Sequence, residues 1–260
     1  MIKDIIRIYE YREMLKTSVR KELRSRYKGS VLGFFWTFLN PLLTLVIFSI
    51  LFSTVMRVTI PNYSYALFLF VGLVPWTFIA SGIQQSTTTI VGNGNLIKKI
   101  YFPRVILPLS VTITNLVNML LTFIIVFIAL WFSKVPATVL YVYFPLIILI
   151  QTVLVLALAI VLSSVTVYFR DLEHIISILT MAWFYLTPVI YPMDYIPKEY
   201  LGIFSLNPMM PIINAYRDVL MFNRLPDFTS LSYVLLFSTA LLIVGYYTFN
   251  ALQKRFAEEI

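Results

Sequence analysis

The chain contains no cysteine, a single histidine and little charge, since only 12% of its 260 residues are Asp, Glu, Lys or Arg. The absence of cysteine excludes a disulfide framework and thiol chemistry. A soluble domain carries about 25% charged residues. A soluble chain of this length could not bury the 60% of hydrophobic residues present here, because too much of its volume lies near the surface. We therefore expect the chain to reside in a lipid bilayer.

Long uncharged runs support this expectation. A helix needs about 20 apolar residues to cross the bilayer core, and six runs of about that length or longer lack Asp, Glu, Lys and Arg: 29–56, 58–97, 105–133, 135–169, 175–193 and 228–253. We predict an all-α integral membrane protein in which residues 29–260 form one six-span domain. The predicted transmembrane helices lie at roughly 32–56, 65–91, 105–132, 137–167, 175–193 and 229–250.

The same scarcity of charge excludes several kinds of chemistry. Ion-coupled carriers need ionisable groups within the membrane, and the predicted spans contain none. His174 has only Asp171 and Glu173 nearby, a poor metal-ligand set, so no metal site is predicted. The nearest approach to a phosphate-binding loop, GNGNLIKK at 92–99, lacks the required spacing and the Ser/Thr. With 12 acidic residues and no carboxylate cluster, we predict a chain that is not an enzyme and has no cofactor of its own.

The distribution of basic residues predicts the orientation. Lys and Arg favour cytoplasmic flanks of membrane spans, and most of the 20 basic residues lie on the side of the N-terminus, nine of them in 1–28. Both termini and residues 93–104 are therefore predicted to be cytoplasmic, and residues 192–227 external. Topology accounts for the net charge of +8 without nucleic-acid binding.

Residues 1–28 are predicted to form a cytoplasmic amphipathic helix that lies in the membrane interface. An apolar stripe recurs at every fourth position (Leu15, Val19, Leu23 and Tyr27), with basic residues around it. Helices of this kind lie in the headgroup plane, whereas a solvated charged helix is the alternative. The surrounding basic residues are Arg12, Lys16, Arg20, Lys21 and Arg24.

Aromatic residues make up 16% of the chain, and some are predicted to lie deep in the membrane. Rings that line a passage could stack on sugar rings while amides meet the hydroxyls. The alternative is helix–helix packing, and the sequence leaves both open. The rings chosen as candidates for the conduit are Trp36, Trp76 and Tyr185.

Four blocks of sequence, in order, resemble the membrane (permease) subunits of type-2 ABC polysaccharide exporters, the family of the O-antigen, capsule and teichoic-acid exporters. They are RSRYKGSVLGFFWTFLNP at 24–41, NLIKKIYFPRVILP at 95–108, FRDLEHI with TPVIYP at 169–175 and 187–192, and LNPMMPIINAYR at 206–217. The resemblance implies a homodimer with twelve spans, joined by two copies of a separate ATPase subunit that holds the ATP and Mg. It implies an undecaprenyl-linked polysaccharide as substrate and the bacterial cytoplasmic (inner) membrane as location.

The resemblance also implies roles for particular residues. A coupling helix that fits a cleft of the ATPase comprises Asn95, Leu96, Ile97, Lys98, Lys99 and Ile100. The interfacial helix meets the lipid head group through Arg20, Lys21, Arg24, Arg26, Tyr27 and Lys28. Short external gate helices between spans five and six include Asn207, Pro208, Tyr216 and Arg217.

Two further expectations concern the segment that contacts the ATPase subunit and the functions that remain possible besides polysaccharide export. The residues themselves favour 93–104 as the coupling site, because it is the only cytoplasmic connection long enough for a turn of helix, with Leu96, Ile97 and Ile100 as its apolar face. An ABC exporter of drugs or small lipids and a membrane-bound component of glycan synthesis are the alternatives to polysaccharide export. Drug exporters lack the RSRY string and usually carry a larger external domain.

Overall fold

The computed structural model describes residues 7–25, 30, 32–55, 57–58 and 60–260. Within these ranges all regular secondary structure is helical, apart from one isolated bridge between Ile60 and Tyr63. This confirms the prediction of an all-α protein. The helices are α1 (Arg12–Ser25), α2 (Trp36–Ser49), α3 (Tyr65–Gly92), α4 (Gly94–Lys99), α5 (Ile106–Phe132), α6 (Phe144–Thr166), α7 (Leu172–Tyr185), α8 (Leu201–Ser205), α9 (Met209–Arg217), α10 (Phe228–Leu252) and α11 (Phe256–Glu259).

Five helical segments of the described chain are long and apolar enough to cross a bilayer, and they coincide with predicted spans one, two, three, four and six. The first gains its length because α2 continues into a π-helical turn at Ile50–Val55. The fourth begins with a 3-10 turn at Val139–Tyr143 that leads into α6. The five segments are Trp36–Ser53, Tyr65–Gly92, Ile106–Phe132, Val139–Thr166 and Phe228–Glu259.

Predicted span five is shorter in the structure than the sequence suggested. Its helix, α7, has 14 residues, about 21 Å at 1.5 Å per residue, against a bilayer core of about 30 Å. It ends before Pro188, because proline has no N–H to continue the helix and disfavours helical geometry in the residue before it. The sixth spanning segment therefore stays a prediction. Asp171 precedes α7 as expected, but its side chain makes no capping hydrogen bond.

The centre of the bundle is α3, which packs against α5, α6 and α9. Small residues allow the close helix contacts, as is common in membranes. A Cβ at Gly82 would lie 2.6 Å from a Val155 methyl, and one at Gly245 would lie 2.7 Å from a Val161 methyl. The close approach of α6 to both α3 and α10 thus depends on glycine at these two positions.

The bundle has two distinct ends. At one end, called here the α4 end, a buried apolar cluster joins α4 and α11 to the adjoining ends of α3, α5, α6 and α10. Helix α1 packs against α5, with Leu15, Val19 and Leu23 half-buried. The opposite end, called the α9 end, contains α8, α9 and the residues that follow α7. The predicted amphipathic pattern of α1 is thus present, although Tyr27 lies outside the described residues.

Candidate functional site

Asn207 joins the end of α7 to the start of α9. Its Oδ1 accepts hydrogen bonds from Trp183 Nε1 at 2.8 Å and from the backbone N–H of Met209 at 3.0 Å. Its Nδ2 donates to the Leu186 carbonyl at 3.1 Å and to Thr187 Oγ1 at 2.8 Å. One amide therefore satisfies groups on both sides of the helix break and holds α9 against α7.

Arg217, at the other end of α9, is almost completely buried, with 2% of its surface exposed. Its Nη1 donates to the Pro188 carbonyl at 2.6 Å, and its Nη2 donates to the carbonyls of Val189 at 2.6 Å and Phe68 at 3.4 Å. The carbonyls of Pro188 and Val189 belong to the non-helical chain after α7, where buried backbone acceptors need donors. Arg217 supplies those donors and so ties α9 to α7 and α3.

Tyr216 begins a hydrogen-bond chain that crosses the core. Its hydroxyl donates to Gln151 Oε1 at 3.0 Å, and Gln151 Nε2 donates to the Pro75 carbonyl at 2.7 Å. All three residues are buried, and a buried polar network is most rigid when each member has a partner. The four residues predicted for the gate, Pro208 among them at the start of α9, therefore belong to one unit that is bonded to α3, α6 and α7.

The three candidate conduit rings are divided between two cavities that both border α2 and α3. Trp76 and Tyr185 both line a groove of about 480 Å³ between α2, α3 and α7. Trp76 packs edge-on against Trp183, with centroids 5.8 Å apart, and is buried, whereas Tyr185 is 57% exposed. Trp36 lines the other cavity and donates from Nε1 to Ser30 Oγ at 2.9 Å. Packing thus accounts for Trp76, while Tyr185 has a free face.

The second cavity, of about 180 Å³, lies between α2, α3 and α5 and is lined by neutral polar groups. Asn118 is nine-tenths buried there, and neither atom of its amide has a hydrogen-bond partner among the described residues. A buried amide without hydrogen-bond partners lowers the stability of the fold by about 1–3 kcal/mol. The cavity therefore favours a neutral occupant that can form hydrogen bonds with Asn118. Its hydroxyl and amide side chains are Thr37, Asn40, Thr44, Thr77, Ser81, Asn115, Asn118 and Thr122.

The predicted coupling segment forms the short helix α4, but its apolar face is divided. Ile97 is buried in the apolar cluster of the α4 end and Leu96 is half-buried against it. The apolar surface that remains exposed consists of Ile100, at 54%, and Tyr101, at 86%. Asn95, Lys98 and Lys99 are exposed. Of the three residues predicted to form the apolar face, Leu96, Ile97 and Ile100, only Ile100 is exposed, and a docking role for this segment stays a prediction.

The structure describes three of the six residues predicted to meet a lipid head group. Arg20, Lys21 and Arg24 are exposed on α1. Arg26, Tyr27 and Lys28 lie outside the described residues. A basic, solvent-accessible helix surface attracts anionic lipid when it lies beside a membrane, and the head-group contact of these residues stays a prediction.

Comparison with known proteins defines the family. Residues 13–221 match the family described as ABC-2 type transporter. The chain belongs to this family. It is 38% identical over the whole of both chains to the protein named "O-antigen export system permease protein RfbA" of Myxococcus xanthus. A protein of the same name from Klebsiella pneumoniae is 35% identical, over 95% of this chain and 94% of its own.

A more distant relative is the "Polysialic acid transport protein KpsM" of Escherichia coli, which is 27% identical over 86% of this chain and 88% of its own. As an ABC-2 family member with several apolar helices, the chain is a multi-pass membrane transport component rather than an enzyme. The family also implies a partner subunit that binds ATP.

Sequence reasoning missed two features of this ABC-2 chain. The sequence does not predict the position of Gln151, whose amide joins Tyr216 to the Pro75 carbonyl. Tyr101 was overlooked because it follows the predicted helix 95–100. The sequence nevertheless contains an indication that Tyr101 is exposed. It directly precedes Phe102 and Pro103, and in an extended chain neighbouring side chains point to opposite sides, so Tyr101 and Phe102 cannot both be buried on the same side.

Proposed function

We propose that this chain is the transmembrane subunit of an ATP-driven exporter that moves a lipid-linked polysaccharide outward across the bacterial cytoplasmic membrane. The observation that carries the proposal is the full-length, 38% identity to a protein named as an O-antigen export permease. The relative named for polysialic acid transport supports export of a polysaccharide. Drug or small-lipid export has no comparable support among these relatives.

The proposed assembly contains two copies of the chain and two copies of a separate ATPase subunit that carries ATP and Mg. Six spans per copy, twelve in all, require that α7 be completed as a span by the residues that follow it. Thr187 to Ile190 are buried although they are not helical, and non-helical backbone at membrane depth is tolerated where protein satisfies its polar groups. The bonds from Asn207 and Arg217 meet that condition.

In this proposal the α4 end is cytoplasmic, with both termini, and the α9 end is external. Force from the ATPase enters at α4, where Ile100 and Tyr101 supply the exposed apolar contacts and Lys98 and Lys99 the charge. At the opposite end, α9 and the preceding Asn207 and Pro208 act as the external gate. Its bonds to α3, α6 and α7 favour movement of the gate together with the spans rather than as a separate flap.

The passage is proposed to follow the groove beside Tyr185 between two copies of the chain. Span one contributes a largely unburied wall, since 6% of the segment Trp36–Ser53 is buried, and this exposed apolar surface suits contact with a second copy. Neutral amides and hydroxyls beside α2, including Asn118, suit the hydroxyl groups of a glycan. These groups suit a polysaccharide in general, and the proposed substrate, an undecaprenyl-linked polysaccharide, is the one that the resemblance to polysaccharide exporters implies.

The decisive experiment is deletion of the gene, followed by analysis of lipid-linked glycan inside and outside the cytoplasmic membrane. We expect complete glycan to accumulate on the carrier at the cytoplasmic face, and the same phenotype from an ATPase subunit that cannot hydrolyse ATP. A strain that makes no lipid-linked glycan would instead indicate a role in synthesis. Normal glycan export with increased drug sensitivity would indicate a drug exporter.

A further inference from the structure

A cavity of about 570 Å³ opens at the α4 end, beside the exposed Tyr101. Three segments form its wall: residues 7–11 before α1, residues 101–105 leading into α5, and residues 246–254 at the end of α10. Because spanning helices begin or end at two of these segments, the cavity lies at the depth where the hydrocarbon core meets the headgroups.

Unpaired positive charge distinguishes this cavity. Arg7, Arg104 and Lys254 line it, against the single carboxylate of Glu10. In the part of the chain that the structure describes, none of the three cations has a carboxylate within 4.0 Å, and the ion pairs there are those of Glu13 with Arg12 and Lys16. A partly enclosed, net positive cavity attracts an anion more strongly than an open surface does, because the low-dielectric walls concentrate the field.

Packing holds the wall in place. Phe102 and Phe256 are buried in the apolar cluster of the α4 end, and the guanidinium carbon of Arg104 lies 5.8 Å from the centroid of the Phe256 ring. The Tyr11 hydroxyl donates to the Tyr101 carbonyl at 3.5 Å, which joins the first segment to the second. Arg104 is therefore half-buried on a packed support, unlike the exposed basic residues of α1.

We propose that this cavity binds the phosphate headgroup of a membrane lipid, with Arg104 and Lys254 as its direct ligands. Phosphate is the anion that lies at this depth in a membrane, and guanidinium and ammonium groups are its usual protein donors. Tyrosines prefer the same interfacial depth, and Tyr11 and Tyr246 also line the cavity. Only the assignment of a diphosphate carrier as the occupant rests on the proposed function, because a phospholipid has the same chemistry.

Lipid binding to the purified permease, without the ATPase subunit, tests the proposal. Native mass spectrometry would titrate phosphatidylglycerol, undecaprenyl diphosphate and diacylglycerol, which has no phosphate. We expect the first two lipids to bind, and Arg104→Gln with Lys254→Gln to weaken both by about thirtyfold, at about 1 kcal/mol for each cation near an anionic headgroup. The matched control, Lys98→Gln with Lys99→Gln, removes the same charge from the same end of the molecule outside the cavity.

Each result has a defined meaning. Equal weakening in the control pair, no weakening in the cavity pair, or equal binding of diacylglycerol would overturn the proposal. A charge-preserving pair, Arg104→Lys with Lys254→Arg, should fold and retain most of the affinity, and loss of affinity in this folded pair would also count against it. Binding of phosphatidylglycerol but not undecaprenyl diphosphate would retain the headgroup site and count only against the carrier in the proposed function.

Discussion

The guanidinium carbon of Arg217 lies 3.5 Å from the centroid of the Phe68 ring. This cation–π contact, together with the carbonyl hydrogen bonds, keeps a charged side chain inside the protein next to α3. The cation therefore joins α9 and the chain after α7 to the central helix at a single point. Substitutions around it test whether that junction contributes to stability and export.

Gly72→Ala should displace this guanidinium. A Cβ at position 72 would lie 2.6 Å from Arg217 Nη2, and burial leaves the side chain little room to move. We expect a loss of about 1–3 kcal/mol in the free energy of unfolding, measured as a lower thermal unfolding midpoint in detergent, with reduced export. Gly202→Ala is the control, because nothing lies within 4 Å of its Cβ position; equal midpoints for the two variants would show that the guanidinium has an equivalent alternative position.

Ile100→Ala with Tyr101→Ala should prevent the ATPase subunit from co-purifying and should abolish export, with little change in the stability of the permease. Interface energy concentrates in a few buried apolar contacts, and these two side chains are exposed in the single chain. Lys98→Ala with Lys99→Ala should have a smaller effect on co-purification.

Ile97→Ala serves as a contrast, since Ile97 is buried and its truncation should destabilise the permease by about 2–5 kcal/mol. Full export and normal co-purification by the Ile100/Tyr101 pair would move the coupling contact to α1.

Tyr185→Ala and Trp76→Ala should distinguish a ring that lines the glycan passage from a ring that packs between helices. Tyr185 is exposed in the groove, so its loss should reduce export per molecule of folded permease. Trp76 packs against Trp183 and Phe184, so its loss should lower stability by about 3–5 kcal/mol and reduce the amount of permease in the membrane. Glycan export normalised to permease abundance is the measurement, and unchanged normalised export in Tyr185→Ala would remove this ring from the path.

The orientation can be tested directly because the chain has no cysteine. Single variants Lys98→Cys and Lys198→Cys should react differently with an impermeant thiol reagent in spheroplasts. Position 198 should be labelled in intact spheroplasts, and position 98 only after lysis. The reverse pattern would invert the proposed topology.

Asp227→Ala should destabilise the start of α10. The Asp227 carboxylate accepts hydrogen bonds from the N–H groups of Thr229 and Ser230 at 3.0 and 3.4 Å, and loss of such a cap costs about 0.5–2 kcal/mol. Asp171→Ala is the matched control, because Asp171 precedes α7 without a capping bond. Thermal unfolding midpoints of the two variants should differ.

The cap should also depend on pH. Hydrogen bonds, first that from the Ser230 hydroxyl, hold the pKa of Asp227 below its ordinary value of 3.8. Since the folded-state pKa is the lower one, the stabilisation is complete above the ordinary value and is lost as the pH falls through the folded-state pKa. The difference in midpoint between the wild type and Asp227→Ala should be full at pH 7 and should shrink below about pH 4; a difference that persists unchanged in acid would show that the carboxylate charge is not involved.

Several elements were predictable because their signal is local. Uncharged runs located the five long apolar helices, since hydropathy over about 20 residues suffices to identify a span. The apolar stripe of Leu15, Val19 and Leu23 predicted α1, because a four-residue repeat keeps one face of a helix apolar. Span five was harder to predict, since hydropathy does not register the loss of helical hydrogen bonds at Pro188.

The sequence by itself determined that the chain is an all-helical membrane protein with a basic N-terminal helix, because composition, length of apolar runs and charge position are properties of the chain alone. Only the tertiary structure decided which side chains are exposed and which are buried. Ile97 and Ile100 are alike in sequence, yet one is buried under α11 and the other is exposed. Arg217 resembles a surface residue in the sequence, and only the meeting of α3, α7 and α9 supplies the carbonyls that allow it to be buried. Contacts between residues distant in the chain depend on how helices pack, and no local pattern encodes that packing.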